Sequence, residues 1–212
     1  LDGTAGIFFD GGIHMVYGLS KEGKTTAVIE ILDKVKTHSI YWLDGDNNFN
    51  DKADGHRNIN HFRPLKPNEW LDKLIASNVD LSNYVLIIDS LKNFVGAESM
   101  DTNDGMNAIL HRMLDINRLG ATMVIVHHAT EKDSKAVLKG NKELIYSAMD
   151  ITYIFKRDKD KNQRTLLADR SRVPDVESGM KFEFDNYSMS WTSPVKLPIT
   201  SNSESPKEVS KW

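Results

Sequence analysis

The sequence contains no cysteine among its 212 residues. This absence excludes disulfide-stapled scaffolds and zinc sites built on thiolates, and it fits a reducing cytoplasm. No apolar run reaches the 18 residues that a membrane-spanning helix needs, and residues 1–9 lack the basic and apolar regions of a signal peptide. We therefore expect a soluble protein that has no membrane partner.

An excess of charge of one sign is also lacking, since 27 Lys and Arg face 30 Asp and Glu, giving 27 − 30 = −3. This balance excludes a uniformly basic coat but leaves room for a basic patch on one surface. The length predicts one substantial domain, residues 1–192. Residues 193–212 are rich in Ser, Pro and charge, and we interpret them as a flexible tail or linker.

Short apolar runs alternate with helical patterns over the first 126 residues, which is typical of an α/β fold with a mainly parallel sheet. The predicted strands are Ile13 to Tyr17, Ile40 to Leu43, Tyr84 to Ile88 and Thr122 to Val126. The predicted helices are Lys24 to Val35, Asn68 to Ala76 and Gly105 to Leu119. In the last helix, Ile109, Met113 and Ile116 recur at helical spacing, so we expect this stripe to face the sheet.

After Asp150 the pattern changes to a period of two residues. The predicted strands here are Ile151 to Phe155, Thr165 to Ala168, Lys181 to Phe184 and Tyr187 to Trp191. Short polar connections between them favour antiparallel pairing. The sequence therefore predicts a C-terminal antiparallel extension on the edge of the parallel sheet.

One motif that carries chemistry stands between the first strand and the first helix. It fits the pattern GxxxxGK(S/T) and reads Gly18, Leu19, Ser20, Lys21, Glu22, Gly23, Lys24 and Thr25, followed by Thr26. Glycines let backbone N–H groups approach phosphate oxygens at a helix N-terminus. Lys24 can reach the β- and γ-phosphates, and the Thr25 hydroxyl can bind Mg²⁺. The motif predicts binding of a nucleoside triphosphate such as ATP.

A carboxylate that could complete the magnesium site ends the third predicted strand. Asp89 follows four consecutive apolar residues, at the sheet edge where ligands bind in open α/β folds. Buried strands also end in solvated aspartates that have no such role. Together with the upstream motif, we interpret Asp89 as the acid that holds Mg²⁺ beside Thr25.

Polar residues also end the second and fourth predicted strands. Asp44 and Asp46 follow the second strand, and they also fit an ordinary Asp-Gly turn. His127 and His128 end the fourth strand, where a histidine pair also fits simple polar capping. The residues alone leave both interpretations open at each strand end.

In this order along the chain, the motif, the three strand ends and the segment Ala168 to Arg172 resemble the RecA-like ATPases. These include the DnaB-type ring helicases, the RepA-type plasmid helicases and the RecA recombinases. The resemblance implies a RecA-like three-layer core. It implies that Asp46 acts as the catalytic base, with Asp44 the alternative, and that His128 or else His127 senses the γ-phosphate.

The same resemblance extends to two arginines near the end of the domain. Arg170 and Arg172 look like the Lys-x-Arg pair that DnaB-type helicases project into the ATP site of a neighbouring subunit. A guanidinium suits this task because it is planar and always charged. Alternation along an extended segment is expected to place both arginines on one face. A solvated basic loop is the simpler interpretation of the same residues.

The function that the resemblance implies is an ATP-hydrolysing nucleic-acid motor, with ATP and Mg²⁺ as cofactors. We expect a replicative DNA helicase module that acts on single-stranded DNA as a homo-oligomer, expected to be a hexameric ring. The expected setting is the cytoplasm of a bacterium or a phage-infected host. Because Leu1 stands where a start methionine would, we also expect a fused or associated primase or polymerase domain.

Lysines after the fourth strand are the expected contacts with nucleic acid. Lys132, Lys135 and Lys139 lie between Thr130 and Asn141, and several subunits together would present a basic ring to the phosphate backbone. Lysines in polar loops are also common on any protein surface. The alternative functions are a RecA-like recombination or annealing ATPase, a small-molecule kinase, and an ATP switch that does not hydrolyse its ligand.

Overall fold

The fold is given by a computed structural model that describes residues 1–46, 58–95, 103–132, 135–158, 163–173, 179–185 and 188–192. Its strands are β1 (Ile13–Gly18), β2 (Ser39–Asp44), β3 (Ile59–Phe62), β4 (Tyr84–Asp89), β5 (Thr122–Lys132), β6 (Lys135–Leu138), β7 (Ile151–Asp158), β8 (Gln163–Ser171), β9 (Gly179–Asp185) and β10 (Ser188–Thr192). Its helices are α1 (Lys24–Leu32), α2 (Pro67–Ser77), α3 (Asn103–Arg118) and α4 (Lys142–Ala148), with a 3₁₀ turn at Leu91–Phe94. The expected tail, residues 193–212, lies outside the described residues.

One sheet contains these strands, in the order β10-β9-β8-β7-β1-β5-β4-β2-β3, and β6 pairs with β5 beside it. The strands from β7 to β3 along this path run parallel to one another. Strands β8, β9 and β10 continue from β7 with antiparallel pairing. The predicted parallel sheet with a C-terminal antiparallel extension is confirmed.

Helices cover both faces of the parallel strands and form a three-layer structure. One face packs against α1 and residues 7 and 8, and Trp42 on β2 is completely buried there. The other face packs against α2, α3 and α4. The α3 stripe of Ile109, Met113 and Ile116 is at most 1% exposed, so its predicted position against the sheet is confirmed.

Parallel strands with both faces covered are apolar along their whole length, and β1 is buried at all six positions. Such strands present their polar groups only at their ends. The residues that follow β1, β2, β4 and β5 therefore share one edge of the sheet, and β5 lies between β1 and β4. This edge is where the candidate site lies.

Strand β3 was not predicted, and two predicted segments differ from the structure. The first helix ends at Leu32 and not at Val35, because Asp33 caps it and the chain turns there. The segment from Thr130 to Asn141, expected as a loop, is mostly a hairpin in which β5 continues to Lys132 and pairs with β6. The segment is polar and shows no alternation of apolar residues, because its backbone pairing needs no buried apolar face. The strand could therefore not be recognised from the sequence.

No helix among the described residues is both long and apolar enough to span a membrane.

Two glycines with positive φ provide a matched test of the packing at the end of α3. Gly120 has φ 102°, and a Cβ there would lie 2.8 Å from the Ser82 nitrogen, whereas Gly11 has φ 67° and open space around it. Gly11→Ala should lower the free energy of unfolding by about 1 kcal/mol through the left-handed backbone alone. Gly120→Ala adds a clash with the backbone and should cost about 3 kcal/mol. Urea unfolding of both variants measures the difference, and equal losses would contradict the close approach.

Candidate nucleotide and catalytic site

The GxxxxGK(S/T) motif, Gly18 to Thr25, is called the phosphate loop below. It joins β1 to α1, and its two glycines are required by local geometry. A Cβ on Gly18 would lie 2.4 Å from the carbonyl oxygen of Phe155 on β7. Gly23 precedes the helix with φ 96°, in the left-handed region that favours glycine. The loop therefore takes a conformation that other residues at these two positions would strain or block.

The start of α1 has the character of an anion site. Gly23 at the N-cap supplies no side-chain cap to the first-turn amides, and such amides with the helix dipole favour a phosphate group. Lys24 is 5% exposed and its Nζ donates to the carbonyl oxygen of Leu19 at 2.7 Å. Burial lowers the pKa of Lys24, while the nearby carboxylates of Glu22, Asp89 and Asp46 oppose this shift.

Glu22 lies within the phosphate loop and braces it. Its Oε2 accepts a hydrogen bond from the Leu19 nitrogen at 3.1 Å. Burial raises the pKa of the Glu22 carboxyl, against the opposing effects of this hydrogen bond and of Lys24. The Leu19 peptide group is thus held on both sides, by Glu22 at its nitrogen and by Lys24 at its oxygen.

The two residues expected to hold Mg²⁺ are in direct contact. The Thr25 hydroxyl donates to Asp89 Oδ2 at 2.8 Å, although 64 positions separate the two residues in the sequence. A hydroxyl and a carboxylate are oxygen ligands of the kind that Mg²⁺ prefers, and Mg²⁺ keeps several waters when few protein ligands are present. The donor set fits the ion that the sequence predicts.

Asp89 is 2% exposed, at the end of β4. Burial raises the pKa of its carboxyl to about 6, and the charges of Asp46 and Asp44 act in the same direction. The Thr25 hydrogen bond and Lys24 oppose this rise. A bound cation would offset the cost of keeping this carboxylate ionised in a buried position.

A second carboxylate, Asp46, lies beside this pair and has polar partners. Its Oδ2 is 3.2 Å from His128 Nε2, and Asn93 donates to its Oδ1. The Asp46 nitrogen also bonds to the Asp89 carbonyl oxygen at 3.3 Å, which ties the two strand ends together. The His128 contact, followed by that of Asn93, holds the pKa of Asp46 below its ordinary value, so this carboxylate stays ionised near neutral pH.

The structure separates the two members of each ambiguous pair. Asp44 is 1% exposed and its Oδ2 lies 3.2 Å from His61 Nε2 on β3, whereas Asp46 contacts His128. His127 is completely buried, with Nε2 3.0 Å from the Lys139 carbonyl oxygen, and burial lowers its pKa to about 4. Asp46 and His128 therefore face one another, while Asp44 and His127 are buried side chains that contact other elements.

A cleft of about 250 Å³ opens beside the phosphate loop. It is lined by Ser20, Lys92, His127, His128, Ala129, Thr130 and Lys139. Of the three lysines predicted to contact nucleic acid, Lys139 lies in this cleft, while Lys132 and Lys135 are an exposed pair across the β5–β6 hairpin. The cleft thus links the candidate catalytic histidine to the base of that hairpin.

Arg170 and Arg172 are not brought to this site. Arg170 pairs with Thr152, which pairs with Met15, three residues before Gly18 and two strands away. At roughly 3.3 Å per residue and 4.8 Å per strand, Arg170 is about 14 Å from the start of the phosphate loop. Both arginines are exposed and contact α4. They cannot serve the phosphate loop of their own chain in this arrangement.

Three residues that contribute to the site are not among the predicted site residues. Asn93 contacts Asp46, Lys92 lines the cleft, and His61 contacts Asp44. Asn93 and Lys92 belong to the 3₁₀ turn that follows β4, and a polar residue shortly after the magnesium-side acid is the only signal that could have indicated them. No pattern in the sequence indicates His61, because its partner lies on another strand.

Comparison with known proteins reveals similarity in structure alone. No protein-family profile and no curated protein matches the sequence. Among solved structures, the RadB recombinase superposes with a TM-score of 0.62 and 17% sequence identity, covering 86% of this chain and 91% of that chain. The fold is RecA-like. The predicted fold class is confirmed, whereas the DnaB or RepA type within it stays a prediction.

The raised pKa of Asp89 predicts a stability cost of the candidate metal site. The ordinary pKa of an Asp carboxyl is 3.8, and the pKa of Asp89 in the folded protein is about 6. Protonation of Asp89 therefore contributes its full share to the free energy of unfolding below pH 4, and this contribution is lost as the pH rises through 6. Asp89→Asn stays neutral, and relative to the unsubstituted protein it should gain about 3 kcal/mol in free energy of unfolding between pH 4 and pH 8.

Urea unfolding in EDTA without nucleotide measures this gain. Asp115→Asn on α3 is the matched control and should show no comparable dependence, because among the described residues the Asp115 carboxylate contacts Arg118 at the surface. A difference between Asp89→Asn and the unsubstituted protein that is constant across this pH range would contradict the buried, protonated carboxyl.

Proposed function

We propose that this chain is a Mg²⁺-dependent ATPase that acts on single-stranded nucleic acid as an oligomer. The observation that carries the proposal is the contact of Thr25 with Asp89 at the phosphate loop, with the ionised Asp46 held beside it. A RecA-like fold supports the same conclusion, because the edge of the sheet that bears these residues is the ligand edge of such folds.

The proposed binding step uses the phosphate loop. Lys24 and the first amides of α1 bind the β- and γ-phosphates, and Thr25 and Asp89 hold Mg²⁺. When bound, Mg²⁺ would supply neutralisation of the charge that develops on the phosphates. The contact between Lys24 and the Leu19 carbonyl keeps the ammonium group within the loop, so little reorientation is needed when phosphate binds.

The proposed hydrolytic step uses Asp46 as the group that orients the attacking water and accepts its proton. Aspartate is one methylene shorter than the glutamate that many RecA-like ATPases have here. Asn93 and His128 compensate by holding the carboxylate in one orientation from two sides. His128 also borders the cleft that leads to Lys139, so a change at the γ-phosphate can be transmitted to the hairpin.

The arginine pair supports an oligomer. Arg170 and Arg172 are exposed, and Arg170 lies two strands from β1 and level with Met15, away from the phosphate loop of its own chain. We propose that they serve the nucleotide site of a neighbouring subunit, where a guanidinium stabilises the charge on the γ-phosphate. Lys92, Lys139 and the hairpin lysines then face nucleic acid, and repetition around the oligomer offsets the net charge of −3.

Two functions fit this site, and different observations favour them. The outward arginine pair favours a helicase ring, hexameric in the proposed form, with a primase or polymerase domain as a proposed associate. The similarity to the RadB recombinase favours a recombination or annealing ATPase at least as well. Both share the same nucleotide chemistry, and they differ in what the oligomer does to DNA.

The ATPase proposal predicts a specific pattern of variants. Hydrolysis should require Mg²⁺ and rise with single-stranded DNA. Lys24→Ala should lose ATP binding, whereas Asp46→Asn should bind ATP normally and hydrolyse it about 100-fold more slowly, since general base catalysis contributes factors of this order. A phosphate-release assay and calorimetry measure the two effects. Lys73→Ala, an exposed lysine on α2, is the control and should match the unsubstituted protein.

Rapid hydrolysis by Asp46→Asn would remove the base role, and ATP binding without turnover under any DNA stimulus would favour a non-hydrolysing switch. Phosphate transfer from ATP to a small acceptor by dilute monomer would favour a kinase. Each of these outcomes contradicts the proposal in a different way.

The two DNA functions predict different assemblies. A helicase should separate a forked duplex with ATP and form closed rings, whereas a recombination ATPase should coat single strands as filaments or open rings and promote pairing. Strand-displacement assays and electron microscopy with ATP and single-stranded DNA distinguish them. Filaments without unwinding would reject the helicase, and closed rings that unwind a fork would reject the recombination ATPase.

A further inference from the structure

A polar network connects the strand that leads into the phosphate loop with the arginine pair. The Tyr146 hydroxyl on α4 donates to Asp169 Oδ2 at 2.9 Å. The Tyr17 side chain on β1 also hydrogen-bonds with Asp169 and Tyr146. Arg170 lies over the Tyr146 ring, with 5.1 Å between its guanidinium carbon and the ring centroid. Four residues from three separate elements thus contact one another.

The second arginine is held by the same helix. Arg172 Nη1 donates to the Ser147 carbonyl oxygen at 2.7 Å, and its backbone nitrogen donates to the Asp150 carbonyl oxygen at 2.7 Å. Ser147 follows Tyr146 directly, so neighbouring residues near the end of α4 hold both guanidinium groups.

An irregularity in β8 brings Asp169 into this network. Arg170 pairs with Thr152 and Ala168 pairs with the next residue, Tyr153, so Asp169 is the extra residue of a β-bulge. A regular strand would direct the side chains of Asp169 and Arg170 to opposite faces of the sheet. The bulge allows both side chains to reach α4, and bulges often re-aim side chains in this way.

The network reaches the nucleotide site through Tyr17. This residue immediately precedes Gly18 and is 3% exposed, and burial together with the charge of Asp169 raises its pKa. Tyr146 has a pKa raised to about 12, first by burial and then by Asp169. Both hydroxyls therefore stay protonated, and Tyr146 donates its proton to the Asp169 carboxylate.

We propose that Asp169 and Tyr146 are positioning residues that hold Arg170 and Arg172 in the geometry that the nucleotide site of a neighbouring subunit requires. This inference rests on the proposed function and deepens it. An exposed arginine has about 2 kcal/mol of rotamer entropy to lose on ordering. The Tyr146 ring restrains Arg170, and the hydrogen bond to Ser147 restrains Arg172, before the neighbouring subunit binds. The arginines are thus preorganised, so less entropy is lost on binding.

Mixed oligomers test the inference, because they separate the subunit that supplies the arginines from the one that supplies the nucleotide site. The donor is Lys24→Ala, which keeps its arginines but has no functional phosphate loop. The acceptor is the double variant Arg170→Ala and Arg172→Ala, which keeps its phosphate loop. Each alone should be inactive, and their mixture with ATP, Mg²⁺ and single-stranded DNA should hydrolyse ATP at mixed interfaces.

Asp169→Asn is then added to one partner at a time. In the donor it should lower the kcat of the mixture roughly ten-fold with KM for ATP unchanged, since small misplacements of a charged group cost factors of this order. In the acceptor it should have no effect. Tyr146→Phe, which keeps the ring under Arg170, should repeat this asymmetry more weakly. Tyr84→Phe, a half-buried tyrosine stacked on Tyr41, is the control.

Equal loss in donor and acceptor would indicate a general structural role and overturn the inference, as would no loss in either. An inactive mixture alongside an active unsubstituted protein would also overturn it while leaving the ATPase proposal intact. An inactive unsubstituted protein would contradict the ATPase proposal itself, so the two failures are distinguishable.

Discussion

The hydrogen bond from Thr25 to Asp89 is the contact on which the rest of the site depends. It joins the start of α1 to the end of β4, across the intervening strand β5. The bond forms because β1 and β4 end at nearly the same level on either side of β5, where Gly18 pairs with His128 and Asp89 pairs with Val126. Burial raises the Asp89 pKa to about 6. The sheet therefore stabilises an arrangement that by itself is unfavourable near neutral pH.

Three carboxylates at this edge differ because their surroundings differ. Asp89 is buried with few compensating donors, Asp46 is held ionised by His128 and Asn93, and the buried Asp44 contacts the exposed His61 on β3. Neighbouring acids that are driven to different pKa values can take different roles in one reaction. Metal binding suits the buried carboxylate, and activation of water suits the ionised one. In the proposed function, Arg170 and Arg172, which lie away from this edge, act at the site of a neighbouring subunit.

Much of the fold and of the site could be predicted from local patterns. Patterns of neighbouring residues predict the strands β1 and β4, the apolar stripe of α3 and the glycine-rich loop. The hairpin of β5 and β6 and the edge strand β3 could not be predicted in this way. Their polar residues bury little apolar surface, and their pairing is decided by backbone hydrogen bonds to a strand that is already in place.

The sequence by itself determined the glycine-rich motif and the acid that ends β4, because the glycines, Lys24 and Thr25 lie close together in the chain and Asp89 ends a buried strand. Only the tertiary structure decided that Asp46 and His128 face one another. The other member of each pair, Asp44 or His127, contacts a different element of the fold. The same holds for Asp169, whose bulge depends on the register of β7 and β8. Contacts between distant residues have no signature in local spacing.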